Sequence, residues 1–159
     1  AAALAEADPQ AADSFRQNGE SYRAELSDLH AWVLAQIEIV PPNQRVLVTA
    51  HDAFGYFGRA YGVEVLGLQG ISTVAEYGVN DVMQLVDLIT ERKVKAIFVE
   101  SSVPIRSIEA VRQGCIERGH QVEIGGTLYS DAMGGVGSGA DTYMGMVRSN
   151  VETIVGALK

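Results

Sequence analysis

Residues 46–62 read VLVTAHDAFGYFGRAYG, and the fold turns on them. Val46 to Ala50 is an uninterrupted run rich in apolar and β-branched residues, the pattern of a strand buried on both faces of a parallel sheet. Phe54 to Tyr61 reads as the helix that follows it. Between the two stand His51 and Asp52, in the turn where an open α/β sheet presents its chemistry.

Outward from this stretch the pattern repeats. Further strands are expected at Glu64–Leu68, Ala96–Glu100 and Gln121–Ile124, with the first at Arg45–Ala50. Helical stripes lie between them. Asn80 is read as the cap of a helix with Val82, Leu85, Val86 and Ile89 on one face. Ile105, Ile108, Val111 and Cys115 form the next stripe, closed by Gly119, a natural residue for the position after a helix. Tyr143, Val147, Val151, Ile154 and Leu158 form the last.

Before all of these, Phe15, Tyr22, Leu26, Leu29, Val33, Ile37 and Val40 fall on one stripe of a single helix, roughly 30 residues and about 45 Å long. Asp8-Pro9 starts it with a capping residue and a proline, and the prolines of PPN at 41–43 stop it. A helix of that length outruns any sheet this chain can build. The expected class is therefore α/β: a four-stranded parallel sheet flanked by helices and preceded by one long helix. No internal repeat and no linker interrupts it.

The composition narrows the function. The chain has 159 residues, one domain's length, with 47% hydrophobic and 20% charged residues. A formal charge of −8 argues against a nucleic-acid partner, which needs clustered Lys and Arg. No apolar run reaches the 18 or so residues of a membrane span. The opening AAALAEADPQ lacks the basic and apolar regions of a signal peptide, so none is expected in this stretch. Cys115, the single cysteine, can form no internal disulfide and reads as a small core residue.

The polar residues after each strand carry the chemistry. They are His51 and Asp52, then Gln69 and the stretch to Glu76, then Glu100 with Ser101 and Ser102, then Ser130 and Asp131. One sheet edge thus gathers His51, Glu100 and Asp131. An imidazole with carboxylates suits Zn or Mn. The same set with a serine could make a hydrolase triad, but no serine sits in a G-x-S-x-G elbow. The carboxylates and imidazole could also act as general acid and base. Against all three stands a plain reading in which Asp52 caps the helix from Ala53 and His51 only bonds the backbone. GGVGSGAD at 134–141 matches a nucleotide fingerprint only in isolation and reads as a flexible loop leading into the last helix. His30 and His120 read as surface residues.

The motifs TAHDAFGYFGRAYG, GLQGIST, AIFVESSV, YSDAMG and TYMGMVRSNVETIVGAL, in this order and spacing, resemble the carboxyl-terminal half of the TroA-like metal receptors. These are solute-binding proteins that deliver Zn or Mn to ABC importers. The stretch LAEADPQAADSFRQNGESYRAEL is similar to the approach to that family's long backbone helix. The resemblance implies that residues 1–43 are the inter-lobe helix and 44–159 the carboxyl-terminal lobe. It implies a metal held between two lobes by four ligands, of which His51 and Asp131 would be this lobe's pair. Glu100 would be a carboxylate behind His51, orienting its ring. Some manganese-selective members carry a carboxylate where His51 stands.

The family's other two ligands are histidines of an amino-terminal lobe, one within a DPHxW-like segment. LHAW at 29–32 echoes it only superficially, since Asp28-Leu29 precede the histidine where Asp-Pro belongs. The resemblance therefore implies a half-receptor that is periplasmic or extracellular and membrane-anchored, whose partners are a divalent metal, the amino-terminal lobe with its two histidines, and an ABC permease. The competing reading is a small metallohydrolase with His51, Glu100 and Asp131 around an activated water.

Overall fold

The run that decided the fold forms strand β1 (Val46–His51), and every residue in it is buried. In the computed structural model, which describes residues 1–69 and 78–159, β1 pairs in parallel with β2 (Glu64–Gln69) and β3 (Ala96–Glu100). Strand β4 (Glu123–Leu128) pairs in parallel with β3, giving the order β2-β1-β3-β4. The expected four-stranded parallel α/β sheet is what the chain forms. The stretch from Gly70 through Glu76 lies outside the described residues.

Successive side chains of a strand point to opposite faces, and the core divides accordingly. Leu47, Ala96 and Phe98 pack into one layer with Leu29, Val33, Ile37, Val151, Ile154 and Leu158. Val46, Val48, Ala50, Ile97 and Val99 pack into the other with Val86, Ile89, Ile108, Val111 and Cys115. The first layer is closed by helices α2 (Ala12–Glu38), α3 (Gly55–Tyr61) and α6 (Tyr143–Leu158), the second by α4 (Val79–Arg92) and α5 (Arg106–Glu117). Burial on both sides explains why β1 and β3 show no polar alternation.

The long helix is real but shorter at its start. Asp8 caps a single 3-10 turn, Pro9–Ala11, by accepting from the Gln10 and Ala11 N–H groups, and α2 proper begins at Ala12. A separate short helix α1 (Ala2–Ala7) precedes it. Only the second half of the stripe is core: Leu29, Val33 and Ile37 are buried, while Tyr22 is exposed. At 1.5 Å per residue α2 is about 40 Å long, so its first half extends past the sheet it packs against.

Two boundaries differ from expectation. Helix α4 starts at Val79 with Gly78 as its cap, because the Asp81 carboxylate turns back to accept from the Gly78 N–H; Asn80 lies inside the first turn. Strand β4 runs to Leu128 rather than stopping before its glycines. Gly125 is needed there: a Cβ would sit 2.7 Å from both the Phe98 ring and Ala157. At this glycine α6 and the sheet come into close contact.

Candidate metal centre

The carboxyl end of the sheet assembles the three residues singled out above. His51 ends β1, Glu100 ends β3, and Asp131 follows β4 by three residues. His51 is 2% exposed and Glu100 3%. Burying a carboxylate is costly unless its oxygens find partners. Here Glu100 Oε1 accepts from the His51 backbone N–H at 2.9 Å, and Oε2 lies 2.8 Å from His51 Nδ1. The second contact is close but out of line, so neither Nδ1 nor Oε2 completes a hydrogen bond by angle. It holds the ring electrostatically.

Glu100 thus grips one histidine at both backbone and ring. The turn beyond is fixed as well. Thr49 Oγ1 donates to the His51 carbonyl at 2.9 Å, and the Ala53 N–H donates to the same oxygen at 3.0 Å. Asp52 does not cap α3, whose first residue has Phe54 before it and no side-chain cap. That disposes of half of the plain reading. The other half fails too, since the ring of His51 faces two carboxylates rather than the backbone.

With Nδ1 committed to Glu100, Nε2 points outward. It stands 3.4 Å from Asp131 Oδ2, whose side chain is 56% exposed. A charged hydrogen bond here would close to about 2.7–2.9 Å. Two donor atoms sharing a tetrahedral zinc, each bonded at roughly 2.0–2.1 Å, lie about 3.4 Å apart. The contact between His51 and Asp131 is thus a loose one, at a spacing that two ligands of one ion can also take. Beside it opens a depression of about 500 Å³ lined by His51, Asp52, Tyr56, Arg59, Ser130 and Asp131.

Among the described residues, no three His, Cys, Asp or Glu side chains converge on a metal position. Glu100 is on the wrong side of the ring to join Asp131, so the described residues bring together one imidazole and one carboxylate there. His30 is bonded elsewhere, its Nδ1 3.0 Å from the Tyr61 hydroxyl, and His120 Nε2 lies 2.8 Å from the Val94 carbonyl. LHAW lies within α2, not at the sheet edge that carries His51 and Asp131. GGVGSGAD forms a loop tied by Gly134 N–H to Ala140 O and Gly137 N–H to Asp141 Oδ2, after which the Thr142 hydroxyl caps α6.

Sequence reasoning missed the supports of the site. The hydroxyls of Ser102 and Ser130 meet at 2.9 Å, linking the turns after β3 and β4. Asn150 of α6 is buried and bonded to the backbone of Tyr129. The signal for Asn150 was a lone amide beside the apolar stripe of the last helix.

The family model described as zinc-uptake complex component A, periplasmic, matches residues 1–157. The manganese-binding lipoprotein MntA of Bacillus subtilis is 54% identical over 158 residues, which are 99% of this chain and 52% of that protein. The zinc-binding protein TroA of Treponema pallidum is 51% identical over 144 residues, 91% of this chain and 47% of that one. The solved structure of the periplasmic zinc-binding TroA of Treponema pallidum superposes with a TM-score of 0.95 at 49% identity, covering 98% of this chain and 56% of that one. The chain spans about half the length of the curated relatives it matches.

Proposed function

The chain belongs to the periplasmic zinc-uptake component A family, and from that premise we propose that it is the carboxyl-terminal half of a receptor that captures Zn or Mn and passes it to an ABC importer. In this reading residues 1–43 carry the helix that joins two lobes, and 44–159 form one lobe. His51 and Asp131 are two of the metal's ligands, Glu100 orients His51, and two histidines of an amino-terminal lobe complete the set. The working location is the periplasm or the outer face of a membrane, in keeping with relatives described as lipoproteins or periplasmic.

The observation that carries the reading is the pairing of an immobilised imidazole with an exposed carboxylate at a distance that two ligands of one ion can take. Capture then needs no bond-making chemistry. It needs ligand count and geometry, and release follows when the lobes separate. The hydrolase alternative has no support. Glu100 is buried against His51, where it reaches neither a substrate nor a water shared with Asp131.

Calorimetric titration of the chain with zinc and with manganese tests this. Weak uptake of one ion, abolished in His51→Ala and weakened further in Asp131→Ala, is the expected result. Tight one-to-one binding by the monomer, or binding indifferent to His51, would sink it.

A further inference from the structure

We propose that Asn150 is a positioning residue for Asp131, acting from α6 as a surrogate strand that fixes the backbone from which the carboxylate projects. The inference rests on the proposed role of Asp131 as a metal ligand.

Strand β4 is the edge of the sheet, and its ladder ends at Leu128, whose carbonyl accepts from the Ser101 N–H at 3.0 Å. Tyr129 comes next, with a backbone donor and acceptor and no strand to meet them. Asn150 supplies both partners. Its Oδ1 accepts from the Tyr129 N–H at 2.9 Å, and its Nδ2 donates to the Tyr129 carbonyl at 2.7 Å. A neighbouring strand would offer the same two bonds; here one planar amide does.

Asn150 is 6% exposed, and the other buried residues of α6 are apolar: Val151, Ile154, Val155 and Leu158. A buried amide among them is costly unless every polar atom is used. Its purpose is therefore at Tyr129. Asp131 lies two residues further on, and its carboxylate has no polar contact except His51 at 3.4 Å among the described residues. Among the described residues no hydrogen bond holds that side chain, and the backbone is what places it. The Ser102–Ser130 contact supports the turn from one side, and Asn150 ties it to a rigid helix from the other.

Only an amide of this length carries both functions. The change Asn150→Asp would keep the acceptor and lose the donor, and Asn150→Leu would lose both while filling about the same volume.

The experiment is a zinc titration of the 159-residue chain, followed by NMR of the His51 ring nitrogens, for wild type, Asn150→Leu, Asn150→Asp, Asp131→Ala and the double variant Asp131→Ala/Asn150→Leu. Each is compared at a temperature where its own spectrum is that of the folded chain. We expect Asn150→Leu to need roughly tenfold more zinc, the lower end of losses from outer-shell changes. With Asp131 already removed, the Asn150 change should cost no further affinity, because it acts through Asp131. Should Asn150→Leu not fold, Asn150→Asp serves with the same expectation.

A variant that melts earlier yet binds zinc like wild type would overturn the inference, leaving Asn150 a stability residue. So would an equal loss of affinity in the Asp131→Ala background. If the wild-type chain itself shows no zinc at His51, the underlying metal reading fails first, which is a different result from either of these.

Discussion

Glu100 sets its two oxygens against His51, Oε1 accepting from the backbone N–H and Oε2 lying beside Nδ1. A carboxylate beside Nδ1 keeps the ring proton there and leaves Nε2 as the lone-pair donor. Glu100→Gln preserves shape and the bond from the His51 N–H, yet turns an amide donor toward Nδ1. The proton then moves to Nε2, where it competes with an ion. We expect a 10–100-fold loss of zinc affinity with little change in unfolding midpoint, and a switch of ring tautomer in the nitrogen NMR spectrum. Unchanged affinity would remove Glu100 from the site. Cys115 makes the opposite point, a chemically capable group with no such task. Burial pushes its thiol above the usual range, against smaller pulls from Thr90 and Arg118. A raised acid stabilises the folded state fully below the ordinary thiol value, and that contribution is lost as pH rises through the raised one. Urea midpoints should thus fall in mildly alkaline buffer, and Cys115→Ala should fall less steeply over the same range. At this scale the sequence was readable only as placement: His51 and Glu100 at their strand ends and Asp131 just past β4 meet at one sheet edge. Asn150 was not readable, because its partner is a backbone atom, and backbone atoms leave no trace in residue identity.

Glycine is where the elements were misread, and where they are most easily tested. The last strand was expected to stop at Ile124, but it continues through Gly125, which fills the gap between Phe98 and Ala157. A methyl group there must push against a buried ring or a helix already in contact with the sheet. Gly125→Ala should cost about 1–3 kcal/mol of stability, the usual result of overfilling a core, read as a lower urea midpoint with an unchanged slope. An unaltered midpoint would mean the helix can move aside freely. The reverse case is Lys93, which ends α4 with φ at 53°, in the left-handed region glycine prefers. Lys93→Gly should stabilise the chain by about 0.5–1 kcal/mol, and a destabilised variant would contradict this. Strands β1 to β3 and helices α3, α5 and α6 were legible because apolar period alone fixed them. The start of α4 was not: the choice between Gly78 and Asn80 depends on the Asp81 side chain reaching back, a contact made only once the turn has formed.

The whole molecule presents a closed core, and in the proposed receptor a second lobe completes the metal site. Both faces of the sheet are covered, and the carboxyl edge sets one imidazole 3.4 Å from one carboxylate. The long helix, half of it extending past the sheet, fits a chain whose relatives are about twice its length. Four-ligand zinc sites supply roughly 10–16 kcal/mol, so two ligands should supply about half, a Kd from micromolar to submillimolar. Restoring the missing pair should restore the remainder. The direct trial joins the other half of the 54%-identical Bacillus subtilis relative to residue 1 and titrates the chimera beside the chain alone. Affinity should rise by at least a thousandfold, and His51→Ala should remove most of that gain, because a closed site depends on every ligand at once. A chimera that binds no better than the chain would show that His51 and Asp131 do not face the added half, and the proposed receptor would lose its site.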